Sequence, residues 1–540
     1  MLGVRSDSEN EVGSVGRLGS FAIRSLVARS AAAGSASAAS TVAGSAAAES
    51  TVAGPASATS TVAGSAAAES TVAGPASAAS TVAGWAVAGA AVAAGLVSGS
   101  PALATEPWSA PQTIALGSAQ LPGPSLPPPS SLGASSHGLL ALPGGGIAFA
   151  TNTNLNFIPN PTGKPTIVAP VGLTGLISTD GVLGPLAPIG AGRTASVLLR
   201  AGPGSITVLG TIGLRSTLTA ASGRPGHTLR GSRSLSITGG LVVGTTDDAV
   251  LVNRCTGACV NRDLVVVRHR GNGWSVPRAV DRPGTERGGA IATLADGTIA
   301  VAYERNQSIY VRRLSPTGRL FPAQRVGPGV QSTIRIAATG RRRLAVAWAW
   351  QRVSEGDAVS GFTAQVACST GLGHFSGRSH VLASIPVMGT GRYVSGPGIA
   401  LEQDVNGQLT LAWSDFADGR FVVTANNLTT TCATARQTVA VPGADAVLGD
   451  LAVAPSGRAT IALTAGIYGS DPAPANRSEA AHGILAVERP AATAPFSGPV
   501  QVSAADDNEA EPVVAIDQTN GRSVLAWRNT TGSTDFATSP

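Results

Sequence analysis

Tyr303-Glu304 is the one adjacency in this chain with the makings of a nucleophile, since a carboxylate beside a phenol can draw off its proton. Its place in the sequence argues otherwise. Tyr303 falls where other copies of an internal repeat carry Trp348, Trp413 and Trp527, so it reads as the aromatic end of a strand. Acid–base chemistry on a glycosidic bond needs only two carboxylates at a suitable separation. Asp247, Asp248, Glu355, Asp357, Asp415, Asp418, Asp506, Asp507 and Glu509 are available for it, or are solvated loop acids. The run Asp506-Asp507-Asn508-Glu509 offers hard oxygen ligands but lacks the spacing of a calcium loop. No phosphate-binding glycine loop and no Gly-x-Ser-x-Gly elbow occurs in a suitable context, and the six histidines are not paired at metal-ligand spacing. The inventory leans away from catalysis, with no cofactor and no metal expected.

Four cysteines suit an oxidising compartment. Cys255 and Cys259, three residues apart, are placed to close a local clip. Cys368 and Cys432 are then the default second pair, although the other pairings stay open. A zinc site would need a second tight pair, and none exists.

Charge gives little direction. The chain has 540 residues, is 43% apolar and only 13% charged, and carries a formal +6. Lys164 is its one lysine, so the positive charge is arginine spread along the chain. The densest basic run, Arg341-Arg342-Arg343, stands at the start of a strand, and nucleic acid is not an expected partner.

Three regions are expected. Residues 1–81 hold a ten-residue repeat, Ser-Thr-Val-Ala-Gly beginning at Ser40, Ser50, Ser60, Ser70 and Ser80, too poor in side chain to bury a core. Residues 82–104 form a short apolar run ending in Ala102-Leu103-Ala104, which reads as a signal peptide or, if uncleaved, a membrane anchor. Residues 105–540 are expected outside the cytoplasm as a single domain.

That domain is built from one recurring unit: an apolar strand, a glycine turn, and an apolar strand ending in an aromatic. Clear copies follow Gly297, Gly340, Gly407 and Gly521, and weaker ones follow Gly145, Gly192, Gly240 and Gly457. Asp-Gly and Asn-Gly turns mark hairpins, and a third and fourth strand usually follow. Four antiparallel strands recurring at this spacing predict an all-β propeller of eight blades, with seven possible. Trp108-Ser-Ala-Pro-Gln-Thr-Ile114 repeats the phrase Trp274-Ser-Val-Pro-Arg-Ala-Val280, whereas the C-terminal repeat stops before any such phrase. The N-terminal copy is therefore expected to supply the last strand of the last blade and close the ring.

Antiparallel geometry sends the second-to-third loops and the blade connections to one face of the disc. The long irregular stretches 245–262, 281–289, 351–361, 385–397, 465–483 and 504–511 are expected there. Arg287, Arg305, Glu355, Asp357, Arg392, Tyr393, Asp415, Asp507 and Arg528 become the candidate ligand-binding residues. Arg392-Tyr393 is the sharpest pair, a guanidinium beside an aromatic ring between flexible glycines.

The strands ending in Ala-Trp and the Trp-Ser-x-Pro phrases resemble the sialidase-like, BNR-repeat propellers, in their divergent bacterial form. The turns Arg268–Trp274 and Leu314–Phe321 are degenerate versions of that family's Asp-box. The resemblance implies a propeller fold. It transfers no catalytic residue, because the family's arginine motif is missing. The expectation is an exported, monomeric, non-catalytic module that binds an extracellular glycan or an envelope protein. The alternatives are a carbohydrate-active enzyme and a structural surface scaffold. Acids and arginines converging on a deep central pocket would favour the enzyme.

Overall fold

The structure, a computed structural model, describes most residues between 107 and 540; the longer stretches outside the description are 1–106, 115–133, 160–164, 190–194, 354–358, 387–397, 467–482 and 505–509. The low-complexity region and the signal-like segment thus lie outside the described residues. Eight four-stranded antiparallel sheets follow one another along the chain, with an extra short strand on the third. Blade 1 spans 134–188, blade 2 197–238, blade 3 240–279, blade 4 286–328, blade 5 333–386, blade 6 399–439 and blade 7 446–501. Blade 8 spans 510–538 and takes its fourth strand from Gln112–Thr113. A small hairpin, Asn156–Pro159 with Pro165–Val168, is inserted between the second and third strands of blade 1.

Burial explains the apolar second strands. Leu344 through Trp348 in blade 5 are wholly inaccessible, as are Leu411, Ala412 and Trp413 in blade 6. A strand covered on both faces has no reason to alternate apolar with polar residues. The core is not one mass but a set of clusters, each filling the gap between two neighbouring blades. Trp348 of blade 5 packs with Ala300 and Ala302 of blade 4, and Trp413 of blade 6 packs with Ala347 and Ala364 of blade 5. The gap between blades 8 and 1 is filled in the same way by Phe536, Ala526, Ile147 and Phe149. Alanines opposite the indoles let the twisted sheets approach closely.

Ring closure is as the repeated phrase predicts. Gln112 pairs with Phe536 and Thr113 with Asp535, antiparallel. Ser109 N donates to Thr538 O and Ile114 N to Thr534 O, each at 2.9 Å. Ile114 is buried in the cluster that joins blades 8 and 1. A second tie crosses the same seam at the hairpin turns: Gly146 N of blade 1 donates to Asp517 Oδ2 of blade 8 at 2.6 Å.

The clear hairpins fall where expected, with positive φ at Gly297 (75°) and Gly521 (78°). Two weak copies are corrected. Ala195–Leu199, read as the second strand after Gly192, leads into the innermost strand Val197–Gly202 of blade 2, whose hairpin turn is at Gly204. Leu241–Val243, read as the second strand after Gly240, lies in the innermost strand Gly240–Thr246 of blade 3, whose hairpin turn is Asp247-Asp248. Both innermost strands are apolar enough to imitate a covered strand, and neither blade has a tryptophan to mark the second one. The stretch 245–262 is consequently no single loop. The strand Ala249–Thr256 runs through it, from one face of the disc to the other.

A disulfide joins Cys368, at the end of the third strand of blade 5, to Cys432 of blade 6, with Cα atoms 5.7 Å apart. The side chain of Cys255 and all of Cys259 lie outside the described residues. Bulges recur in the innermost strands: Arg200/Gly202, Val242/Gly244, Arg287/Gly289, Leu448/Asp450 and Ala510/Val513. Edge positions next to a channel are where a bulge re-aims side chains.

Candidate functional site

The innermost strands of successive blades stand side by side around the axis of the ring. Between those of blades 3 to 6 lies a cavity of about 680 Å3, reached at its end by the Asp247-Asp248 turn. That volume is within the range of small-ligand sites. Thr245 and Thr246, Thr293, Arg335, Glu402 and Gln403 supply its polar groups.

Strand alternation puts the charges there. In Thr333–Thr339, Ile334 and Ile336 are buried between blades, so Arg335 between them is turned out and exposed. In Ile399–Gln403, Leu401 is buried and Glu402 is exposed. In blade 7 the register shift at Gly449 redirects Asp450, whose Oδ2 accepts from Val514 N of blade 8 at 3.1 Å. A Cβ at Gly449 would fall 2.4 Å from Pro512 Cγ, so only glycine lets these two strands approach there.

Glu402 is exposed into the channel, but protein walls surround that space, so its hydration is poorer than at an outer surface. Burial first, then the charge of Asp450, pushes its carboxyl up to about 7, with Arg335 opposing. Burial also raises Asp450, against its hydrogen bonds from Val514 and Leu451 and the charge of Arg335. The charge of Asp450 is thus felt at Glu402, and Arg335 acts on both carboxyls. A carboxyl poised near neutrality can give or take a proton, and a guanidinium beside it can hold an oxygen or a carboxylate.

The expected site residues are placed differently. Arg305, Asp415 and Arg528 lie at the C-terminal ends of the second strands of blades 4, 6 and 8, all on the long-loop face but on separate blades. Arg305 is partly exposed and ion-paired, its Nη1 on Asp281 Oδ2. Asp415 accepts from Phe416 N at 2.8 Å and from Trp413 Nε1 at 3.4 Å. Arg528 is exposed. The backbone of Arg287 belongs to the innermost strand Glu286–Thr293, not to a loop. Glu355, Asp357, Arg392, Tyr393 and Asp507 lie outside the described residues. Asp247 and Asp248 belong to the short-turn face, at the channel mouth.

Tyr303 is fully buried and its hydroxyl donates to Asp281, while Glu304 Oε2 accepts from Ser332 N at 2.8 Å. Glu304 therefore does not serve the phenol, and the strand-end reading of Tyr303 holds. Sequence reasoning passed over Arg335, Glu402 and Asp450. The signal was present as single charges interrupting Thr-Ile-Arg-Ile, Ala-Leu-Glu-Gln and Leu-Gly-Asp-Leu in otherwise apolar first strands.

No family model and no curated protein matches the chain. Among solved structures it is similar to oligopeptidase B from Leishmania major, with 13% identity, a TM-score of 0.39 and 74% of this chain on 54% of that one. A PL25 ulvan lyase matches at 10% identity and a TM-score of 0.39, over 63% of this chain and 95% of that one. The β-propeller domain of the trilobed protease from Pyrococcus furiosus matches at 7% identity and 0.37, over 64% and 93%. The chain spans about half the length of the peptidase. The strand pairing, not these likenesses, defines the eight-bladed propeller.

Proposed function

We propose that the protein is an exported propeller of sialidase-like kind, which binds a polyhydroxylated, sugar-like ligand in its central channel. The observation that carries this reading is the convergence of Arg335, Glu402 and the threonine hydroxyls on one cavity of about 680 Å3. Hydroxyls, an amide and charged groups of both signs match the alternating donors and acceptors of a sugar. An exported setting agrees with the Cys368–Cys432 disulfide. Kinship to the sialidase-like propellers is supported by the turn at Ser315, whose Oγ accepts from Arg319 N at 2.9 Å as a hydroxyl of an Asp-box turn would be expected to do. The test is a glycan-array screen followed by calorimetry on residues 105–540. Glu402→Gln and Arg335→Ala are each expected to weaken the ligand found by at least about tenfold, the loss of one charged hydrogen bond. Unchanged affinity in both variants would place the ligand elsewhere.

A second reading, a carbohydrate-active enzyme, is supported by Glu402 in the cavity lining, a carboxyl that burial and the charge of Asp450 push up to about 7. Such a carboxyl can serve as acid or base. If this reading is correct, Glu402→Gln keeps affinity for the glycan but abolishes turnover, followed as new reducing ends or unsaturated ends. Purified protein that leaves every bound glycan intact across pH 5 to 9 would remove it.

A further inference from the structure

We propose a second binding site, for an acidic polysaccharide, on the outer rim of the disc where blades 3 and 4 meet. It is built on the third-to-fourth turn of blade 4. Gly318 N donates to Ser315 O and Ser315 N to Arg319 O, both at 2.9 Å, which makes the turn rigid. Phe321 follows, fixed by its own N–H on Arg313 O and by Arg312 Nε on its carbonyl, both at 2.9 Å. The Arg319 guanidinium lies over the Phe321 ring, 5.9 Å from its centroid, and Arg313 lies over the same ring at 4.9 Å. From blade 3, Arg278 reaches the turn: a Cβ at Gly318 would be 3.6 Å from its Nη2. Arg268 sews the two blades together beneath, donating to Leu314 O, Ser315 O and Gly297 O.

Arg278 and Arg319 are exposed, and neither is ion-paired with a described carboxylate. A guanidinium resting on a ring or against a turn has already lost much of its rotamer freedom, yet its N–H edge still faces outward. Two such edges at one rigid turn suit the repeated carboxylate or sulfate groups of an acidic polysaccharide. A single-stranded nucleic acid would need open aromatic faces for its bases, and guanidinium covers the face of Phe321. The rim site is separate from the channel, because it stands on the third-to-fourth turn of blade 4 whereas the channel is lined by the innermost strands.

The probes are polygalacturonate and dextran sulfate, measured by biolayer interferometry on residues 105–540 at low and physiological salt. Arg278→Ala/Arg319→Ala is expected to weaken both at least tenfold, whereas Arg224→Ala/Arg436→Ala, which removes equal charge from blades 2 and 6, changes them less than twofold. Phe321→Leu, which keeps every charge but removes the stacking surface, is expected to weaken binding several-fold. Unchanged melting temperatures confirm that each variant is folded, and a variant that melts early is replaced by Arg278→Gln/Arg319→Gln. Equal losses in the two double variants would reduce the effect to net charge and overturn the proposal. So would an absence of binding at low salt, or a single-stranded oligonucleotide that competes more strongly than either polysaccharide.

Discussion

The Tyr303 hydroxyl donates to Asp281 Oδ2 at 2.7 Å, and this bond joins the second strand of blade 4 to the segment that enters it from blade 3. Asp281 also accepts from Arg312 Nη1 at 3.2 Å, from Arg282 N at 2.9 Å and from Arg305. Burial would raise its carboxyl, but the bonds from Tyr303, Arg305 and Arg282 outweigh it and hold the group below its usual range. Tyr303, buried and bonded to a carboxylate, is pushed well above the ordinary range of a phenol. Asp281→Asn leaves two arginines short of a charge partner and is expected to cost about 2–3 kcal/mol in urea unfolding. A depressed carboxyl contributes stability above its unfolded value that is lost as pH falls through the folded one, so the variant should also lose part of the acid-side decline. Tyr303→Phe should cost only about 1 kcal/mol and leave ligand binding alone.

Closure by the N-terminal strand can be tested by its removal. Without residues 105–115 the strand Thr534–Thr538 has an open edge, and new protease cleavage is expected after residue 512. Ile114→Ala, which hollows the cluster between blades 8 and 1, should cost about 2–4 kcal/mol. An unaltered digestion pattern in the truncated protein would show that blade 8 is stable on three strands.

The Cys368–Cys432 bridge closes a chain segment of 64 residues, so it limits the unfolded chain more than a local clip would. Cys368→Ser/Cys432→Ser is expected to lower stability by about 2–4 kcal/mol, and reductant should produce a similar shift in the wild type. If reductant has no effect on the unfolding midpoint, the bridge is not formed in solution.

The pH dependence of Glu402 runs opposite to that of Asp281. A carboxyl raised to about 7 in the folded protein favours folding most at pH below its unfolded value, and that contribution fades as pH rises through 7. Glu402→Gln should therefore raise the melting temperature at pH 8 relative to wild type and change it little at pH 5. Channel water screens part of the effect, so its direction is the informative result. An identical pH profile in the two proteins would mean that the carboxyl titrates in its ordinary range.

The fold could be read because burial writes long, regular signals: Leu344–Trp348, Leu409–Trp413 and the orphan phrase at Trp108 each repeat a pattern. Blades 2 and 3 were mis-phased because their first strands are as apolar as a covered strand, and strand periodicity alone does not rank one above the other. The site was harder to read. Arg335, Glu402 and Asp450 come from three blades and meet only through ring geometry, and the turning of Asp450 depends on a bulge that no local motif announces. Loop length pointed instead to the opposite face, where Arg305 is paired with Asp281 and Asp415 bonds Trp413 and Phe416 of its own strand.

Synthesis order gives the seam between Gln112–Thr113 and Thr534–Thr538 one more consequence. Gln112–Thr113 is made before the other described strands of the propeller, yet it cannot pair until Thr534–Thr538 has been made. Seven blades can form in succession from local hairpins while the eighth waits, and throughout that time the nascent ring is a crescent with an unsealed end. A pause, a truncation or a frameshift late in the message would thus release an arc whose two ends can pair with those of other copies. The cell's quality control has one simple feature to recognise in such failures: an open ring.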